Sequence, residues 1–155
     1  MTSKTITIIR HGQGFHNIGN HSIKDPRLTT AGLQEASQLN QVCDLVIISP
    51  LKRAMETYLN SNIKTKKITL CDQVREQMNI ENNLYLENEA IPQQKEGSKA
   101  LEQRVREFIA YLRELSEQNI VIISHAFFSW HFLHQTGQGG RILRNCEAHE
   151  IKNFH

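Results

Sequence analysis

Hydrophobic and polar positions alternate with two different periods along this chain. Short, continuous apolar or β-branched runs occur at Thr5–Ile9, Leu45–Ile48 and Ile120–Ile123, and each has the length of a buried strand. Lys67–Leu70 predicts another short strand, and residues 147–154 a last one. Between these runs the period lengthens. Leu101, Val105, Phe108, Ile109, Leu112 and Leu115 fall on one helical stripe, and Ser98 precedes them as a cap. Thr29 or Thr30 caps a helix carrying Leu33, Ala36 and Leu39 on one face. Ser49-Pro50 reads as a cap followed by a first-turn proline, opening a helix that runs to about Leu59. Ala126–His134 forms a further helix, closed by Gly137, Gly139 and Gly140. Residues 12–28 are rich in Gly, Asn and His without a period and form a loop, and residues 77–98 form a long polar excursion.

Strands alternating with helices predict an α/β protein: a single three-layer domain over residues 1–155, with a mostly parallel central sheet and helices on both faces. Composition agrees: 155 residues, 39% hydrophobic and 22% charged, suit one globular domain rather than a disordered or membrane chain. No apolar run reaches bilayer length, and no apolar leader precedes the first strand, so a cytoplasmic protein is expected. Eighteen Lys and Arg against 16 Asp and Glu, evenly spread, give a formal charge of +2, too little for a nucleic-acid footprint. Cys43, Cys71 and Cys146 are far apart and form no CxxC pair, which argues against a disulfide framework or a zinc knuckle. They are expected to be reduced and buried, and Trp130 with the Phe127–Phe128 pair is expected in the core.

The chemistry gathers at strand ends. In a parallel sheet the carboxyl ends of the strands share one edge, where ligands bind. That edge receives Arg10 and His11 from the first strand, Arg53 from the helix after the second, and His125 after the Ile120–Ile123 run. Guanidinium groups bind phosphate bidentately and stay charged. Positive charge lowers the pKa of a neighbouring imidazole and keeps its lone pair free to attack phosphorus. The other six of the eight histidines are less specific. His131 and His134 share a helix face without a third metal ligand at suitable spacing. His16, His21, His149 and His155 read as loop or tail residues, with His16 near the pocket. No GxxxxGK[ST] or GxGxxG occurs, so a nucleotide-binding loop is not indicated.

Five blocks in order then bring out a resemblance. Ile9-Arg10-His11-Gly12, with Asn17 six residues after His11, is followed by Leu28-Thr29-Thr30-Ala31-Gly32, Ser49-Pro50-Leu51-Lys52-Arg53-Ala54-Met55-Glu56-Thr57, Ser124-His125 and Asn145-Cys146-Glu147. The chain resembles the histidine phosphatase superfamily, the phosphoglycerate-mutase-like clan, over almost its whole length. The resemblance implies a metal-independent phosphomonoesterase needing no cofactor and acting on a small phosphorylated substrate. His11 is then the nucleophile that forms a phosphohistidine. Arg10, Arg53 and His125 hold the phosphoryl group, and Asn17 assists. Glu76 is the best match for the general acid, with Asp72, Glu81 and Glu87 as competitors. Two departures stand out: Ala126 replaces the commoner glycine after Ser124-His125, and Gln13 stands where an acidic residue often follows the first motif. A phosphoglycerate-type mutase is the alternative activity, and a non-catalytic phospholigand-binding module the alternative role. Residues 77–98 carry Lys95 against Glu81, Glu87, Glu89 and Glu96, a balance that repels a doubly phosphorylated cofactor and favours hydrolysis. Against that stand further basic residues, Lys24, Arg27, Arg75, Arg141 and Arg144, some of which are expected to reach the pocket mouth. Neither a nucleic-acid nor a membrane partner is expected, and the oligomeric state is not legible.

Overall fold

A computed structural model describes residues 3–78, 81–84 and 95–155. Five strands, β1 (Lys4–Arg10), β2 (Val42–Ile48), β3 (Lys64–Leu70), β4 (Asn119–Ser124) and β5 (Ala148–Phe154), form one sheet in the order β3-β2-β4-β1-β5. β2 pairs parallel with β3 and β4, and β4 parallel with β1, while β5 alone runs antiparallel, beside β1. Among the described residues four α-helices connect them: α1 (Thr30–Ser37), α2 (Lys52–Leu59), α3 (Ser98–Glu114) and α4 (Ala126–Gln135).

The apolar runs explain the layers. Successive side chains of a strand point to opposite faces, so a continuous run is stable only when both faces are covered. Ile6, Ile8, Leu45, Ile47, Ile120 and Ile122 face one way and pack on Leu101, Val105, Phe108, Leu112, Phe128 and Phe132 of α3 and α4. Ile9, Val46, Ile48, Val121 and Ile123 face the other way, onto Leu39, Ala54 and Ile63 around α1 and α2. The expected three-layer domain with helices on both faces is therefore what forms.

Several details differ from the sequence reading. β3 begins three residues before Lys67, because an edge strand accommodates the polar Lys64–Lys66 segment on its open side. α2 starts at Lys52 rather than at Ser49-Pro50. The cap arrives from outside the helix: Asp25 Oδ1 accepts from Lys52 N at 2.8 Å, while Ser49 Oγ accepts from Leu51 N at 3.3 Å. The cap of α3 is Gly97, and Ser98 is the first helical residue. Phe127 is 47% exposed and Trp130 only partly buried, so of the expected aromatic core Phe128 alone is fully enclosed. All three cysteines are free, but only Cys43 is buried. Among the described residues no helix is long and apolar enough to cross a membrane.

Candidate active site

Arg10 and Ser124 are partners in the β1–β4 register, so the chain segments following both strands leave the sheet side by side. His11 N donates to Ser124 O at 3.0 Å, and Ser49 N to Ile123 O at 3.1 Å, which ties the ends of β1, β2 and β4 together. The loop after β1 then packs on α1 and α2. Gly12 N donates to Thr57 Oγ1 at 2.9 Å, and that hydroxyl donates to Arg53 O at 2.6 Å. Leu28 N donates to Glu56 Oε1, and Gln13 N to Glu35 Oε1. A side chain at Gly32 would place its Cβ 2.2 Å from Gln13 O, so the first and second sequence blocks meet backbone to backbone. Thr29 settles the earlier choice of caps: its hydroxyl accepts from Gly32 N.

At the centre lies His11, 2% exposed. Its Nδ1 is 2.7 Å from Gly12 O, an acceptor only, so Nδ1 carries the proton and the lone pair belongs to Nε2. Arg53 Nε donates toward that Nε2 at 3.3 Å. Arg53 is 1% exposed, not a solvated helix residue. Its other nitrogens donate to Asn82 O and Asn83 Oδ1, both at 2.8 Å. The His125 ring centroid is 5.1 Å from that of His11, and its Nε2 is 2.7 Å from Ser49 Oγ, a partner not assigned from sequence although Ser49 opens the third block. His125 Nδ1 is buried without a hydrogen-bond partner. Arg10 Nη1 donates to Leu143 O at 2.8 Å, which fixes the guanidinium beside the cluster while its Nε is left without a partner.

Burial first, and the Arg53 charge second, push the pKa of both His11 and His125 well below the ordinary imidazole value. Both are therefore neutral at physiological pH. Burial also lowers the Arg53 guanidinium to about 10, which leaves it charged at neutral pH.

Glu76 is 7% exposed and sits at the start of α4. Its oxygens accept from Phe127 N at 3.0 and 3.2 Å, from Phe128 N at 3.1 Å and from Gln77 N at 3.0 Å. A helix N-terminus suits a carboxylate both by its free N–H groups and by its dipole. Glu76 also exerts the largest favourable charge effect on both Arg10 and Arg53, which places it in the same electrostatic neighbourhood. The other candidates for the acid fare differently. Asp72 pairs with Arg75 at 3.4 Å with its side chain 71% exposed, and Glu87 lies outside the described residues. For Glu81 only the backbone, in a short 3-10 turn, is described.

Asn17 is exposed, and its Oδ1 accepts from Gly14 N at 2.9 Å, closing its own turn; none of the described hydrogen bonds links it to the His11 cluster. His16, expected in the loop near the pocket, brings its ring centroid to 5.6 Å from that of His11. His131 and His134 pack on Trp130, and no group of three or more His, Cys, Asp or Glu side chains among the described residues is arranged to hold a metal ion. Of the basic residues, Arg75 is buried and donates to Asn83 O at 2.7 Å, supporting the turn over Arg53. Arg141 and Arg144 pair with Glu147.

A family model described as histidine phosphatase superfamily (branch 1) matches residues 6–149. The chain belongs to that superfamily. It is 32% identical to the adenosylcobalamin/alpha-ribazole phosphatase of Escherichia coli, over 76% of this chain and 71% of that protein. It is 39% identical to a Schizosaccharomyces pombe protein named "Probable phosphatase", over 35% of this chain and 30% of that protein's length. The alpha-ribazole phosphatase of Shigella flexneri superposes with a TM-score of 0.73 at 23% identity, covering 95% of this chain and 89% of that one. The enzyme class that follows for a member with these relatives is a phosphatase-type hydrolase of the phosphoglycerate-mutase-like clan.

Proposed function

We propose that this protein hydrolyses small phosphomonoesters in two displacement steps through His11. The observation that supports this reading most is the His11 ring itself: Nδ1 is fixed by Gly12 O, so the unprotonated Nε2 faces a guanidinium rather than a carboxylate. Nε2 attacks phosphorus, the ester P–O bond breaks, and Glu76, which enters this step in its acid form with a proton taken from solvent, gives that proton to the departing oxygen. Water then attacks the phosphohistidine, its proton goes to Glu76, and inorganic phosphate and neutral Nε2 are regenerated. Arg53 carries five N–H groups; three are used on His11, Asn82 and Asn83, and the remaining two are those offered to phosphoryl oxygens. Arg10 and His125 add a second guanidinium and a neutral donor, so charge developing on the oxygens meets fixed dipoles and positive charge. Asn17, oriented by Gly14 N, assists with its amide N–H group.

The substrate class in this reading is a small phosphorylated substrate, supported by the name of the Escherichia coli relative and by the burial of His11. A cytoplasmic location is part of the same proposal. The mutase alternative rests on the segment 77–98, most of which lies outside the described residues; within the described part, Glu96 is committed to Arg104 at 2.7 Å. The deciding experiment is phosphate release from an aryl phosphate by wild type and His11→Ala, each with and without chelator. Chelator-resistant turnover that disappears in the variant is expected. Turnover persisting in His11→Ala assigns the wrong nucleophile, and a wild type that binds phosphate without turnover is the binding module.

A further inference from the structure

Three imidazoles meet in this site, not two. His16 enters from the 3-10 turn Phe15–Ile18, with its ring 5.6 Å from His11 while His125 stands 5.1 Å away. Gly14 is what lets it in. A Cβ on Gly14 would fall 2.7 Å from His16 Nδ1 and 2.8 Å from Cε1, so the ring rests on a bare α-carbon. The φ of Gly14, −102°, is open to any residue; glycine is needed there for space and not for its torsional freedom.

The hydrogen bonding of His16 is unusual. Nδ1 is shut away from solvent and has no hydrogen-bond partner. Buried acceptors without partners are commoner than buried donors without partners, so the proton belongs on Nε2 and the bare nitrogen on the Gly14 side. Unpaired polar groups beside a functional site call for an explanation. Burial first, then the charges of Arg53 and Arg10, lower the His16 imidazole to about 3, so it stays neutral and adds a donor without adding charge.

We propose that His16 is a further phosphate-contacting residue, its Nε2–H donating to a non-bridging oxygen of the phosphoryl group held at His11. This rests on the reading of the site as a phosphoryl pocket, though not on turnover.

The test compares wild type with His16→Phe, His16→Gln and Gly14→Ala. Phe keeps a ring and loses the donor, Gln loses the ring and keeps a neutral donor, and Gly14→Ala keeps His16 but expels its ring. Orthovanadate affinity by calorimetry and kcat/KM for an aryl phosphate are read on each, after thermal melting has shown that each folds. Vanadate affinity about tenfold weaker and kcat/KM about 100-fold lower are expected in His16→Phe and Gly14→Ala, on the scale of losing one oxyanion donor. His16→Gln should retain most of both. A purely structural role gives the reverse order, Phe retaining and Gln losing, and overturns the proposal, as does vanadate affinity within twofold of wild type in both His16→Phe and Gly14→Ala. Should His16→Phe not fold, Gly14→Ala carries the comparison. Wild type that binds vanadate without turnover removes the phosphatase reading yet leaves the vanadate comparison to decide His16; wild type that binds no vanadate overturns both.

Discussion

Two fully enclosed neutral imidazoles make a quantitative prediction about pH. Burial lowers the pKa of His11 and His125 in the folded chain well below 6.5, the ordinary value. In the unfolded chain both return to it. Below that value the unfolded state therefore binds protons that the folded state refuses, and stability rises with pH. The stability is present in full above the unfolded value and is lost progressively as pH falls from there toward the folded values. At pH 5.5 an unfolded imidazole is roughly 90% protonated, which favours the unfolded state by about 1.4 kcal/mol per group. Two such groups amount to about 3 kcal/mol between pH 8 and pH 5.5. His16 and His131 act with the same sign but are more exposed and add less. Asp25, whose carboxyl burial raises, acts with the opposite sign and at lower pH. The assay is urea denaturation at several pH values from 8 to 5.5. His11→Gln and His125→Gln should each flatten the dependence by up to one proton. Equal stability at both ends of the range would mean that the folded imidazoles take up protons freely, and the argument for a neutral nucleophile would fail with it.

Three other outcomes are expected. Gly32→Ala drives a Cβ to 2.2 Å from Gln13 O, a backbone atom with nowhere to go, and should cost about 3 kcal/mol or more by thermal or urea unfolding. Arg53→Lys keeps a positive charge but not the planar fork that reaches His11, Asn82 and Asn83 together, so kcat/KM should fall about 100-fold or more in steady-state kinetics. Glu76→Gln retains an acceptor for Phe127 N and Phe128 N but supplies no acid proton. Its melting temperature should stay near wild type, while alkyl phosphates lose about 100-fold or more in kcat and an activated aryl phosphate loses much less; equal losses on both substrates would remove Glu76 from the acid role.

What was legible in the sequence is what depends on pattern and order. Ile120–Ile123 had to be a two-sided strand, and the stripe from Leu101 to Leu112 had to lie on the sheet, because no other placement hides those side chains. Arg10, His11, Arg53 and His125 converge because each lies at or just beyond the carboxyl end of β1, β2 or β4, and those strands are neighbours in one sheet. What was not legible depends on long-range partners. Ser49 has the composition of a helix cap, yet its hydroxyl is drawn to His125, and Asp25 from a distant loop takes over at Lys52 N. Phe127 has the composition of core, but its backbone serves Glu76 and its ring faces outward. His16 gave one faint signal, a glycine two residues earlier, and that signal has meaning only once the turn geometry is known. The polar Asn82-Asn83 pair read as loop, whereas both residues are nearly enclosed, and the Asn82 carbonyl and the Asn83 side chain accept from Arg53.

The arrangement around Arg53 links fold to chemistry most directly. A buried guanidinium is costly unless paired. Among the described residues, carbonyl and amide oxygens and one imidazole satisfy three of its N–H groups, but no carboxylate forms an ion pair with it or with Arg10. Each of its three nitrogens has a partner among the described residues, two N–H groups stay unused, and its charge is balanced at a distance by Glu76 and Asp25. The three imidazoles nearby are neutral and cannot repel it. The folded chain therefore concentrates positive potential on one enclosed spot next to an unprotonated nitrogen. A contacting carboxylate would relieve that potential in the resting protein and weaken it for a ligand. Without one, the group best able to relieve it is a dianion that brings acceptor oxygens on several sides. A phosphoryl group has that charge and shape, which is why the proposed attack by His11 Nε2 suits this site.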